Sequence, residues 1–547
     1  MGTPVTITVH NAPLHDIDPR LFGQFMEKGA DETGPEFGMQ KKGKRLQSDV
    51  VTKLKQMQIP LIRFPGGAAL EYANTLNLAD MVDNTPDSRE SQGRTMLAKG
   101  VANRFGYDEF LLLCEQLGSQ ALLVVNMSAA LLGKKSIEEG ARDAAALVAY
   151  VNARQIARLP SDMPNWPTVR AANGHPRPYG VQHFQLGNEL WLFVEPLRKQ
   201  GMNDAQIVTR YIDCYRACMT AMRAIDPSVS IIIDGQIEHF AGLAGFTALI
   251  REELGDQVNF LAWHHYVPGE IDTISIGEHP VASPRDIPDA QWWNACVAAP
   301  DIDPRSAQSA LADDPAMLAA QRAGYRLAAT EWNWNGWWSA RFSDPPPLPE
   351  LAKGLGAAGF LHALMRRGDL FSIACQSILV GHVWDIPAIR LQQQGTGGKR
   401  TPSFSATGLV AMLYARNHGD TLLDLTVDNA GTYSQPLRLG ALRPHECVAQ
   451  IDVCATRTRN RVYVHCINRT LAADIDVLIN LDSLEGRFGA LATRTTINGS
   501  STGQEALTFT STRVRLEGRA IAATLAAHSV SCIAVDIHQR DEQDNAP

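Results

Sequence analysis

Two short segments hold the residues best suited to chemistry, Gly187-Asn188-Glu189 and Thr330-Glu331-Trp332, each closing a run of β-like residues. Two carboxylates delivered at strand ends are what hydrolysis of a glycosidic bond requires. One gives a proton to the leaving oxygen, and the other, ionised, acts on the opposite side of the sugar ring as nucleophile or base. Neither tripeptide decides anything alone, because a single Glu at a strand end is more often a surface or salt-bridged residue. Their weight depends on the elements that position them.

From about Asp18 to about Pro387, short apolar runs alternate with amphipathic helical stretches, the pattern of parallel β/α units. The predicted strands are Arg20 to Phe25, Pro60 to Phe64, Ala121 to Asn126, Val181 to Leu186, Ser230 to Asp234, Asn259 to His264, Arg326 to Glu331 and Ile373 to Leu379. Eight is the count of a closed (β/α)8 TIM barrel. Predicted helices between them include Asp108 to Leu117, Ser136 to Asn152 and Asp204 to Ile225. Glu189 then follows strand four and Glu331 follows strand seven, at the C-terminal ends where barrel enzymes keep their chemistry. Three positions apart on the ring, they can face each other at about 5 Å, the separation of a retaining double displacement.

Three connections exceed what a barrel needs: Asn77 to Asn103, Leu159 to Arg177 and Glu270 to Leu318. All three are expected at the C-terminal face, with oligomer contact or simple insertion as the alternative for the third. After about Gln392 the pattern becomes one of short alternating runs bounded by Gly, Asn, Asp and Ser, apart from a helical Ser405 to Arg416. That predicts a C-terminal β-sandwich, jelly-roll-like, over 392–547 behind a catalytic barrel over 18–391. The N-terminal strand within 1–17 is expected to join the sandwich.

With 547 residues, 45% apolar and 20% charged, the chain is long enough for two globular cores. A formal charge of −8 argues against nucleic acid or an anionic membrane as partner. No apolar run reaches the length of a membrane span, and the first residues lack a secretory signal, which points to the cytoplasm. Nine scattered cysteines without zinc spacing read as reduced core thiols. The pair His264-His265 could evoke a metal, but barrel metallohydrolases add a His-x-His near strand one and Leu21 to Gln24 contains none, so no metal and no cofactor are expected.

The motifs Phe22-Gly-Gln-Phe-Met-Glu27, Arg63-Phe-Pro-Gly-Gly67, Gly106-Tyr-Asp-Glu-Phe110, Val124-Val-Asn126, Leu186-Gly-Asn-Glu189, Trp263-His-His-Tyr266 and Thr330-Glu-Trp-Asn333 occur in that order. In this ordered set the chain resembles glycoside hydrolase family 51 across the whole barrel. The resemblance implies a retaining enzyme, exo-acting on terminal furanosides, in most members an α-L-arabinofuranosidase. It casts Glu189 as general acid/base, Glu331 as nucleophile, Asn188 as ligand of the sugar 2-hydroxyl and Glu27 as a carboxylate binding sugar hydroxyls at the blind end of the pocket. It also implies an oligosaccharide or polysaccharide-derived substrate and a homo-oligomer, often a hexamer.

Further site residues come from position and chemistry. Arg63 near Glu331 would keep that carboxylate ionised, or else serve as a structural fork for the Pro65-Gly66-Gly67 turn. Asn126 either binds substrate or caps a loop. His264 and Tyr266 end strand six, where the family places a Tyr that contacts the nucleophile or the sugar. Among the aromatic residues Trp191, Trp332, Trp334, Trp337, Trp338 and Trp384, Trp332 and Trp384 are the preferred sugar contacts. Gln376 on strand eight resembles the family's sugar-binding Gln, a role that the resemblance alone implies. The chain departs from the family at Ala68-Ala69-Leu70-Glu71, where Asn is common, and after Asn126 and Glu189. These departures keep open another retaining glycosidase on the same frame, such as an endo-glucanase, a β-xylosidase or a rarer furanosidase, and also a non-catalytic carbohydrate-binding protein.

Overall fold

The computed structural model describes residues 3–28, 34–40, 45–67, 71, 78–82, 104–298, 314–342, 349–382, 386–393, 400–499 and 507–538. Eight strands close into a parallel barrel in the order of the chain: Gly23–Phe25, Leu61–Phe64, Gln120–Val125, His183–Leu186, Ser230–Asp234, Phe260–Ile271, Arg326–Trp338 and Phe371–Ser377. Every expected strand is among them. The first is shorter than its apolar run because Pro19–Phe22 forms a 3-10 turn capped by Asp18, whose side chain accepts from the Arg20 amide. The sixth and seventh are longer, continuing past their predicted ends as a pair whose register holds as far as Trp338↔Ile271.

Helix boundaries follow local capping. Ser136 and Glu139 form a capping box at the start of Ile137–Asn152, and Asn203 and Gln206 do the same for Asp204–Ile225. Inside the barrel, Phe25, Leu61, Leu122, Val124, Ile232, Ala262, Ala328, Ile373 and Cys375 fill one apolar core. The outward residues of the same strands pack on the helices, as Phe64 stacks on Phe110 at 4.5 Å.

Of the long connections, Leu159 to Arg177 departs from expectation. It joins helix Ile137–Asn152 to strand four and so is an αβ connection, not one of the βα loops that build the C-terminal face. It folds into helix Trp166–Ala172, whose buried Arg170 donates to the carbonyls of Tyr150 and Ala153 at the end of the preceding helix. Most of Asn77 to Asn103 lies outside the described residues. Glu270 to Leu318 leaves strand six and carries the helix Asp289–Ala298.

The C-terminal region is a ten-stranded sheet that curls around a core of its own, including Ile451, Val464, Ile479, Ile521 and Ile533. The strand Val5–Asp16 lies within it, antiparallel to Thr421–Asp428 and parallel to Ile475–Asn480. Helix Glu350–Arg366 is buried along almost its whole length between barrel and sheet. From it Arg366 donates to Asp452 of strand Ile451–Thr458, which also accepts from Arg469 at 2.9 Å. Burial would push the Asp452 carboxyl up, but Arg366, His362 and Arg469 outweigh it and hold it well below the usual carboxylate range. All nine cysteines are free thiols. No described helix is long and apolar enough to cross a membrane.

Candidate active site

Strand alternation aims Arg63 of strand two, Gln185 of strand four, and His264 and Tyr266 of strand six into the barrel mouth. Strand seven needs one more device. Ala328 pairs with Ala262 and Glu331 with His264, so three steps along strand seven match two along strand six. The extra residue is a β-bulge, which shifts the parity of the strand. Thr330 and Glu331 therefore both serve the mouth, and Trp332 turns outward. Glu331 lies within the strand rather than after it.

Glu331 is buried, with 6% of its surface exposed. Its Oε1 accepts from Arg63 Nη1 at 2.8 Å and its Oε2 from the Tyr266 hydroxyl at 2.9 Å. Desolvation would raise this carboxyl, but the charges of His264 and Arg63 and the Tyr266 hydrogen bond win, so it is held below the ordinary carboxylate value. Arg63 is fully buried and uses its whole fork, donating also to Gln185 Oε1 at 2.8 Å and to Asn188 Oδ1 at 2.6 Å, with Phe25 against its face. None of these bonds goes to the Pro65-Gly66-Gly67 turn, so Arg63 is not the structural fork of that turn.

Glu189 follows strand four and is more open to solvent than Glu331. Its Oε1 lies 3.0 Å from His264 Nδ1, and His264 Nε2 lies 3.0 Å from the Thr330 hydroxyl. This pair suits a carboxyl that must both give and take a proton. A hydroxyl can donate or accept, so the imidazole can present N–H or a lone pair to Glu189 as its state demands. One oxygen of Glu189, one of Glu331 and a nitrogen of His264 lie within 4.8 Å of one another. Three such ligand atoms could also approach a cation, although Glu331 already spends both oxygens on Arg63 and Tyr266. His265 cannot join His264 in a metal site, because it faces outward and stacks on Trp263 at 4.7 Å.

The remaining expected residues divide. Glu27 follows strand one, and its carboxylate lies over the Gly66-Gly67 turn, where a Cβ on Gly67 (φ +65°) would fall 2.0 Å from Oε1. Asn188 is buried beside Arg63. Gln376 is buried in a chain in which it accepts from Gln24 and donates to Asn333, so it braces strands one, eight and seven. Asn126 takes the capping role: its Oδ1 accepts from Ala129 N, and its Nδ2 donates to Glu71. Trp332 is a correction: it is 1% exposed and stacks on Phe360 of the outer helix at 4.5 Å, away from the mouth. Trp334 is likewise buried, against Gly356 of the same helix. Trp384 lies outside the described residues. Among the described tryptophans, Trp191 lies edge-on to His264 at 5.7 Å and the exposed Trp337 lies 5.9 Å from Tyr266.

Several residues escaped the sequence reading. Thr330, Gln185 and Ser377 complete the networks of His264, Arg63 and Tyr266. Glu71 and Asp234 are buried carboxylates whose pKa burial raises, to about 7 and about 6, against the pull of the backbone amides they accept from. The available signal was position, since Asp234 ends strand five and Glu71 follows strand two.

Residues 53–270 match the family model described as alpha-L-arabinofuranosidase 1 domain. The chain is similar to α-L-arabinofuranosidases of glycoside hydrolase family 51. It is 23% identical over 411 residues to an intracellular exo-alpha-(1->5)-L-arabinofuranosidase of Halalkalibacterium halodurans, covering 71% of each chain. It is 29% identical over 192 residues to alpha-L-arabinofuranosidase C of Emericella nidulans, where the match spans 35% of this chain and only 32% of the fungal protein. Its fold is that of a family 51 alpha-L-arabinofuranosidase from Bifidobacterium longum, with a TM-score of 0.71 at 19% identity, covering 98% of this chain and 100% of the other.

Proposed function

We propose that this protein is a retaining, exo-acting α-L-arabinofuranosidase that works by double displacement, with Glu331 as nucleophile and Glu189 as general acid/base. The observation that carries the reading is the approach of the two carboxyl groups to within 4.8 Å at the barrel mouth. That matches the about 5 Å of retaining enzymes and leaves no room for the intervening water of an inverting one.

In the first step Glu189 gives its proton to the glycosidic oxygen while a Glu331 oxygen bonds to the anomeric carbon and the alcohol leaves. In the second, Glu189 takes a proton from water, the water oxygen bonds to the same carbon, and Glu331 departs as carboxylate. Arg63 and Tyr266 keep Glu331 ionised and fix its plane. In this reading Asn188, held by Arg63, meets the sugar 2-hydroxyl, and Glu27 meets hydroxyls deeper in the pocket. The exo-(1→5) activity named for the Halalkalibacterium relative supports exo action on arabinofuranosyl ends. A cytoplasmic location and assembly of several copies belong to the same proposal, and cell fractionation and light scattering check them.

Azide rescue tests the assignment. With an aryl α-L-arabinofuranoside, Glu331→Ala supplied with azide should yield the glycosyl azide of inverted configuration, and Glu189→Ala the azide of retained configuration. The reverse pattern would exchange the two roles. Turnover of aryl pyranosides but not arabinofuranosides would overturn the sugar.

A further inference from the structure

Glu189 has φ +50°, in the left-handed region that a residue with a side chain seldom adopts. The residues on either side of it are tied to two buried carboxylates. Asn188 N donates to Glu71 Oε1 at 3.1 Å, and Leu190 N donates to Asp234 Oδ2 at 2.7 Å. Neither carboxylate hydrogen-bonds directly to Glu189 or Glu331, so the proposed chemistry leaves both unused.

Each carboxylate is itself anchored to a neighbouring loop. Glu71 Oε2 accepts from Ser128 N at 2.9 Å and from Asn126 Nδ2 at 3.2 Å, and the Met127 amide approaches both of its oxygens at 3.3 Å. Asp234 Oδ1 accepts from Gln236 N at 2.8 Å. Gln236 in turn exchanges two hydrogen bonds with the backbone of His264, at 3.1 and 2.6 Å, and His264 meets Glu189. The result is a belt around the mouth running from the loop after strand two, through those after strands three, four and five, to strand six. Glu189 sits at its centre.

We propose that Glu71 and Asp234 are positioning residues that clamp the Asn188–Leu190 turn from both sides and hold Glu189 in its left-handed conformation, aimed at the leaving-group oxygen. The proposal rests on Glu189 being the acid/base. Both oxygens of Glu71 face N–H donors, and only an acceptor at both satisfies them. An amide in its place turns an N–H toward an N–H, and the turn is freed to relax. Misaimed by about 1 Å, a general acid loses on the order of 100-fold in rate, and only where the leaving group needs its proton.

The test is the dependence of kcat/KM on leaving group, from 2,4-dinitrophenyl α-L-arabinofuranoside, which departs unprotonated, to an arabino-oligosaccharide, which does not. Glu71→Gln and Asp234→Asn should each lose about 100-fold on the oligosaccharide and retain most activity on the dinitrophenyl substrate, a weaker form of the Glu189→Ala pattern. Circular dichroism and melting temperature establish that each variant folds, and if Glu71→Gln does not, Asp234→Asn decides. Folded variants that lose equally on both substrates, or lose nothing, would overturn the clamp. If Glu189→Ala itself shows no leaving-group dependence, the acid/base assignment falls and the clamp falls with it.

Discussion

Removing the Tyr266 hydroxyl should move the acid limb of the pH–rate profile toward neutrality. In Tyr266→Phe, Glu331 Oε2 loses a donor at 2.9 Å while Arg63 stays on Oε1 at 2.8 Å. A hydrogen bond to a buried ionised group contributes about 1.5–3 kcal/mol. At about 1.4 kcal/mol per pH unit, its loss raises the pKa of Glu331 by about one to two units. The sign follows from the form that works. In the proposed mechanism Glu331 acts as the carboxylate, its pKa is held below the ordinary value, and activity is lost as pH falls through that lowered value. With the pKa raised, the same loss begins at higher pH. The assay is kcat/KM on 4-nitrophenyl α-L-arabinofuranoside from strongly acid to neutral buffer, with Ser377→Ala as control because it removes only the other partner of the phenol, at 2.8 Å. An acid limb of Tyr266→Phe superimposable on that of the wild type, in a folded protein, would refute the role given to the phenol.

Other outcomes follow from the same structure. Gly67→Ala puts a methyl 2.0 Å from Glu27 Oε1 at a φ of +65°, so KM for the aryl arabinofuranoside should rise along with a stability loss of about 1 kcal/mol or more from backbone strain, and an unchanged KM would remove Glu27 from the pocket. Trp332→Ala should cost about 3–5 kcal/mol in urea unfolding, as the loss of a buried stacked ring does, and the folded fraction should keep the wild-type KM. Asp452→Asn leaves Arg366 and Arg469 buried without their counter-charge and should destabilise by about 3–5 kcal/mol at neutral pH. Because the native pKa of Asp452 is lowered, its contribution is complete above the unfolded value and fades as pH falls through the native one, so wild type and variant should converge in stability only in strong acid.

Much of this arrangement was legible along the chain. Hydrophobic runs such as Ser230 to Asp234, separated by capped helices such as that beginning at Ser136, were enough for the barrel and its strand order, because a parallel strand buried on both faces must be apolar and short. Strand ends marked Glu189, and the ordered motifs around Arg63 and Tyr266 marked their neighbourhood. Reading Leu159 to Arg177 as part of the upper face failed because a polar connection carries no sign of which barrel end it leaves. What required the folded chain was orientation. Trp332 follows Glu331 directly, and strict alternation from Ala328 would have turned Glu331 outward and Trp332 inward. A bulge set by pairing with strand six reverses both, and no residue type announces it. The same is true of Glu71, whose partners lie more than fifty positions along the chain on other loops. Local pattern decides which elements form, and only closure of the barrel decides which side chains meet, since it brings the ends of distant strands to one rim.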